Sequence, residues 1–103
     1  MNNRIDKLKS ILEKDPGNVL TLYGLAMEYA KHSQFTDAIA TFDSVLSHDP
    51  NYVAAYYHKG KTLEKMADTV SARDVYQKGI SVAEAIGNMH ALSELVEALD
   101  AIN

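Results

Sequence analysis

Apolar residues recur along this chain at spacings of three and four, and no segment alternates at period two. That is the pattern of amphipathic helices, each turning one face to a core. Ile5, Leu8, Ile11 and Leu12 form the first stripe, on a helix from Asn2 to Lys14. Asn2 or Asn3 is its N-cap, and Asp6 lies in the first turn, where the helix dipole favours an anion. Pro16 disfavours helical backbone at Asp15, and Pro16-Gly17-Asn18 is turn chemistry. A second helix, about Val19 to Lys31, carries Val19, Leu22, Leu25, Ala26 and Tyr29. A third, about Thr36 to His48, carries Ala38, Ile39, Phe42, Val45 and Leu46. The fourth shows Val53, Tyr56, Gly60 and Leu63. Asp68 is placed to cap a fifth, which carries Ala72, Val75, Tyr76, Gly79, Ile80 and Ala83 and runs on to Ile86, where Gly87-Asn88 stops it. The last, about Met89 to Ala101, shows Met89, Leu92, Leu95, Val96, Leu99 and Ile102. Six antiparallel helices joined by short turns are therefore expected.

These helices repeat. Asp15-Pro16 and Asp49-Pro50 bracket a helix pair at an interval of 34 residues. Laying 4–19 over 38–53 matches Ile5/Ile39, Ser10/Ser44, Leu12/Leu46, Asp15/Asp49, Pro16/Pro50 and Val19/Val53. Laying 19–52 over 53–86 matches Val19/Val53, Tyr23/Tyr57, Lys31/Lys65, Ala38/Ala72 and Ser47/Ser81. A helix-turn-helix period of this length points to a solenoid whose units bury their faces against neighbours. Leu22-Ala26-Tyr29 and Tyr56-Gly60-Leu63 place a small residue between two large ones, and Ala38-Phe42-Val45-Pro50 and Ala72-Tyr76-Gly79 complete the second helices. In these positions the chain resembles the tetratricopeptide repeat family. The final Pro is missing from the second unit, where Glu84 stands, and Val45 is larger than the pattern prefers. The resemblance implies an all-α, right-handed α-α superhelix. The single domain, 1–103, divides into a half-repeat helix at 2–15, repeats at 19–52 and 53–86, and a capping helix at 88–102.

The missing Pro bears on that cap. At the strict period its inward stripe would be His90, Glu94 and Glu97, which costs too much desolvation. A two-residue displacement turns Leu92, Val96 and Leu99 inward instead, and leaves Ser93, Glu94, Glu97 and Asp100 on the outer or groove side.

Composition narrows the function. A net charge of −4 gives no broad attraction to nucleic-acid phosphates. With no cysteine there is no disulfide, thiol catalysis or Cys-ligated metal. No apolar run reaches the length of a signal peptide's core or a membrane span, so a cytoplasmic protein with no membrane partner is expected. His32, His48, His58 and His90 never stand four apart, the spacing of a helical metal site. His48 suits the dipole at its helix end. No nucleophile–base pattern or phosphate loop occurs, so neither catalysis nor a cofactor is expected. Gly24, Gly60 and Gly79 lie inside helices and read as close-packing positions. Lys59 interrupts a buried stripe, where a lysine lays its stem on the core and lifts its amine out.

The family resemblance implies a concave groove lined by the first helix of each repeat, holding a peptide or helix of another protein. The side chains it assigns there are Leu20, Tyr23, Met27, Lys31, Tyr57, His58, Lys61 and Lys65, with Gly24, Ala30, Ala54 and Glu64 beside them. Tyr23 and Tyr57 recur at the period and serve either as binding anchors or as half-buried packing residues. Lys31, Lys61 and Lys65 favour an acidic partner segment, unless Glu97 and Asp100 face Lys61 and Lys65 and neutralise them. The carboxylate-clamp members of the family use Lys and Asn where this chain has Tyr23 and Met27, which argues against a chaperone-tail clamp. The alternative is a self-associating scaffold, a weak homodimer pairing exposed Tyr and apolar end faces.

Overall fold

A computed structural model describes residues 3–103, and they form six helices joined by short turns: α1 (Asn3–Lys14), α2 (Val19–Lys31), α3 (Phe35–His48), α4 (Val53–Lys65), α5 (Thr69–Ile86) and α6 (Met89–Ile102). Asn3 opens α1, and the proposed Asn2 cap lies outside the described residues. Three other starts are capped by side chains. Asn18 accepts from the Thr21 amide at 3.0 Å, Asp68 from Ser71 at 3.1 Å and Asn88 from Ala91 at 3.0 Å. The turns inside the two hairpins share one device: Ser33 and Ala67, 34 residues apart, both adopt positive φ, at 59° and 61°. Gly87 ends α5 in the same left-handed region, where glycine has no Cβ to clash.

Each helix packs on the next in a single-file solenoid, and α4 also touches α2 and α6. The core has two parts. Ile5, Leu22, Leu25, Ala26, Tyr29, Ala38, Phe42, Val45 and Ala55 make one. Leu63, Ala72, Val75, Tyr76, Ala83, Ala91, Leu95 and Ala98 make the other. Gly60 is required by its neighbour: a Cβ there would lie 2.2 Å from the Tyr76 ring. At Gly79 a Cβ would meet the Tyr56 Cβ at 2.7 Å. Gly24 differs from the close-packed glycine expected, because a Cβ would meet only Leu8, at an ordinary 3.8 Å. Lys59 runs along the α3–α4 seam and ends 2.6 Å from Asp43 Oδ1.

The sixth helix departs from the stripe expected of it. Ala91, Leu95 and Ala98 face inward and are buried, whereas Val96 is 39% exposed and Leu92 and Leu99 are only half-buried. The inward set corresponds to Ala55, Lys59 and Thr62, the side that α4 turns toward α3. Leu92, Val96 and Leu99 correspond to Tyr56, Gly60 and Leu63, the side that α4 turns toward α5. Among the described residues no helix follows α6 to cover that second side.

Candidate functional site

The first helices of the two hairpins, with α6, line one face. Apolar packing of Leu22, Leu25, Ala26 and Tyr29 to the interior leaves Leu20, Tyr23, Gly24 and Met27 on the other side of α2. The same logic leaves Ala54, Tyr57, His58 and Lys61 on α4. Tyr23 is half-buried, with its ring 5.0 Å from Tyr52, 6.3 Å from Phe42 and 6.0 Å from His58. Tyr57 lies 5.1 Å from the His58 ring and 6.5 Å from Tyr76. The two periodic tyrosines therefore do not stack on one another. His58 stands between them, and each tyrosine leans on the aromatic residue of its own hairpin. Tyr57, Lys61, Glu94, Glu97, Ala98 and Ala101 border a recess of about 330 Å³ between α4 and α6.

Of the predicted lining residues, Tyr23, Tyr57, His58 and Lys61 come together. Met27 is half-buried against the first core cluster, and Leu20 is 73% exposed at the N-terminal end of α2. Lys31 and Lys65 are exposed at the C-terminal ends of α2 and α4. The Lys61 ammonium lies 5.6 Å from the Tyr57 ring centre and 3.8 Å from Glu64 Oε2. Glu64 in turn accepts a hydrogen bond from the Tyr76 hydroxyl; burial, reinforced by that bond, pushes the Tyr76 pKa far up. The acidic residues across the groove are Glu94 and Glu97, in place of the expected Glu97 and Asp100. Asp100 turns to the opposite flank, with Met89, Leu92 and Val96.

Burial lowers the His58 pKa, and the nearby Glu94 carboxylate partly opposes that shift. Burial also raises the Tyr23 pKa, with Tyr52 and Glu94 adding to it. Glu94 is thus electrically in touch with both α2 and α4. Sequence reasoning placed it on the outer or groove side of α6 without tying it to His58 or Tyr23, because that link depends on how far α6 is displaced.

A second polar cluster escaped sequence reasoning. Glu28 is 9% exposed, between Leu25 and Tyr29 on the core side of α2. It accepts from Arg4 Nε of α1 at 3.1 Å and lies 3.3 Å from His32 Nε2. Burial works to raise its pKa. The His32 hydrogen bond, with Lys31 and Arg4, outweighs that and holds it below the usual carboxylate range. The repeat equivalent of Glu28, Thr62, is also buried but is itself polar, so hydrophobic patterning gave no signal that this position packs inward. Among the described residues no group of three or more His, Asp or Glu is arranged to hold a metal ion, and no helix is long and apolar enough to cross a membrane.

A file of antiparallel hairpins with a face of half-buried aromatic residues defines an α-α solenoid domain. A tetratricopeptide repeat domain protein from Salinibacter ruber is 40% identical, with a TM-score of 0.80, over 85% of this chain and 89% of that one. The chain belongs to the tetratricopeptide repeat family. It is 34% identical over 84 residues to the ER protein translocation subcomplex subunit sec67 of Schizosaccharomyces pombe; this covers 82% of the chain but 43% of that protein. The TPR2B domain of yeast Sti1, whose structure is of a complex with pHsp70, superposes with a TM-score of 0.88 over 95% of this chain and 78% of that one. At 19% identity that likeness speaks to fold alone. No family model matches the chain.

Proposed function

We propose that this domain is a non-catalytic protein-interaction module whose α2–α4–α6 face holds a peptide or helix of a partner. The observation that carries the reading is the cluster of Tyr23, Tyr57 and His58. These are stiff rings with polar tips, half-buried and already held by neighbouring aromatics, so little side-chain entropy is lost when a partner covers them. The repeat fold and the likeness to a translocation subunit support a protein partner.

Charge orients that partner. Lys31, Lys61 and Lys65 lie toward the C-terminal ends of α2 and α4, while Glu94 and Glu97 occupy the α6 wall. An acidic segment or free carboxylate fits the lysine edge and is repelled from the α6 wall. The segment therefore lies along α2 and α4 with its negative end at Lys65. Displayed peptide libraries screened against the folded domain should enrich Asp- and Glu-containing sequences. Replacing Lys61 and Lys65 by Ala should weaken the selected peptides by about tenfold, and added salt should weaken the wild type as screening predicts. Selected peptides indifferent to salt and to both substitutions would remove the acidic-segment reading. Peptides that also ignore Tyr57→Ala would move the site off this face.

A further inference from the structure

The two ends of the solenoid are complementary halves. By the internal repeat, α1 corresponds to α3 and α5, the second helix of a hairpin. It packs on α2 alone. The hairpin stripe Ala38, Phe42 and Val45 is fully buried, and so is most of Ala72, Tyr76 and Gly79. The matching residues of α1 are Arg4, Leu8 and Ile11, and Ile11 is 46% exposed. At the other end α6 corresponds to α2 and α4, the first helix of a hairpin. Its Leu92, Val96 and Leu99 occupy the positions that α2 and α4 present to their second helices, and this side is open, with Met89 65% exposed beside it.

We infer that α1 of one copy seats against the open side of α6 of another, so that the two halves complete a repeat and copies associate head to tail. Size and charge both favour this occupant. Gly60 receives the Tyr76 ring, and by the same register Ala26 faces Phe42 and Val96 would face Leu8. As the floor grows from Gly to Ala to Val, the residue above it shrinks from Tyr to Phe to Leu, which conserves volume at the contact. Glu97 and Asp100 rim the α6 side, and α6 contains no Lys or Arg. Lys7 and Lys14 flank Ile11 on α1, where three lysines stand against two carboxylates and Arg4 is engaged by Glu28. The contact is heterologous: in an assembly of this 103-residue stretch, pairing α1 with α6 leaves one α1 and one α6 available at each step, so growth is open-ended rather than closed into a symmetrical pair. It uses neither Tyr23 nor Tyr57 and shares only Glu97 with the groove.

Sedimentation equilibrium of the wild-type chain over a wide concentration range should show its average mass rising continuously, and rising less at high salt. Val96→Lys and Ile11→Glu each put a charged side chain into the apolar centre of the contact and should raise the apparent Kd roughly a hundredfold. Both positions are exposed in the single copy, so far-ultraviolet circular dichroism, and melting temperature at concentrations too low for association, should stay at the wild-type values. A mixture of the two variants is the decisive arm. Val96→Lys retains a working α1 and Ile11→Glu a working α6, so the mixture should form a one-to-one dimer that grows no further. A wild-type chain that stays monomeric throughout would overturn the inference. So would association that persists in Ile11→Glu alone, which would mean α6 pairs with α6.

Discussion

Glycine carries different meanings at different points of this helical ladder. At Gly60 the backbone is the floor under the Tyr76 ring, and no side chain fits without moving an aromatic residue that is itself fully buried. Gly60→Leu should therefore destabilise the domain by about 1–3 kcal/mol or more. Gly24 has an open Cβ site on a regular helix, where glycine costs backbone entropy without a packing return. Gly24→Ala should stabilise by about 0.5–1 kcal/mol. Urea unfolding of both variants tests the pair. Midpoints that move in opposite directions with unchanged slopes support it, and a loss of stability in Gly24→Ala would show a partner for that position that the packing does not contain. The sequence alone makes these two glycines look alike, since each lies inside a first helix. Their difference is set by which residue stands opposite, Tyr76 or Leu8, and that depends on helix rotation rather than on local pattern.

At the scale of elements, periodicity was enough for helix number, helix boundaries and the left-handed stop at Gly87, because apolar spacing, Asp-Pro pairs and Asn or Asp caps are local signals. The orientation of α6 was only half legible. Avoidance of buried His90, Glu94 and Glu97 ruled out the strict period, but two apolar stripes remained, and they differ by one residue. Burial follows Leu95 rather than Val96 because α5 is the helix available to cover α6, and the Leu95 methyls fit beside Gly79. The same limitation applies to the candidate site. Tyr23, Tyr57, His58 and Lys61 could be placed from the repeat, whereas the acidic wall opposite them depends on the rotation of α6. Leu95→Ala should cost about 2–5 kcal/mol, as for a fully buried leucine. Val96→Ala, at a partly exposed position, should change stability by no more than about 0.5 kcal/mol. Thermal or urea midpoints of the two variants at low protein concentration decide between the stripes. Equal losses would mean that both sides of α6 are covered in the single copy.

The whole molecule is a file of helices, and two of its titrating groups, His58 and Glu28, sit where helices meet, so protons act there on helix packing. His58, on α4, faces α2 through Tyr23 and α6 through Glu94, and its pKa is depressed by burial. Between that depressed value and the unfolded-chain value of about 6.5, the unfolded state holds the proton and the folded state does not, so stability falls as pH drops through this window. Glu28 joins α1 to α2 through Arg4, and its pKa is held below the usual range. Its stabilisation is present above the unfolded carboxylate value of about 4.3 and is lost as pH falls through the folded one. Both terms have the same sign, so melting temperature should decline in two acid steps, the first beginning near pH 6.5 and the second below about pH 4.3. His58→Gln should remove the first step and leave the second. Glu94→Gln should enlarge the first step, because the carboxylate that partly restores the His58 pKa is gone. Melting curves from pH 8 to pH 3 on the three proteins test this at fixed ionic strength. A first step that survives in His58→Gln would assign it to another histidine, and the interior of the groove would then be proton-silent.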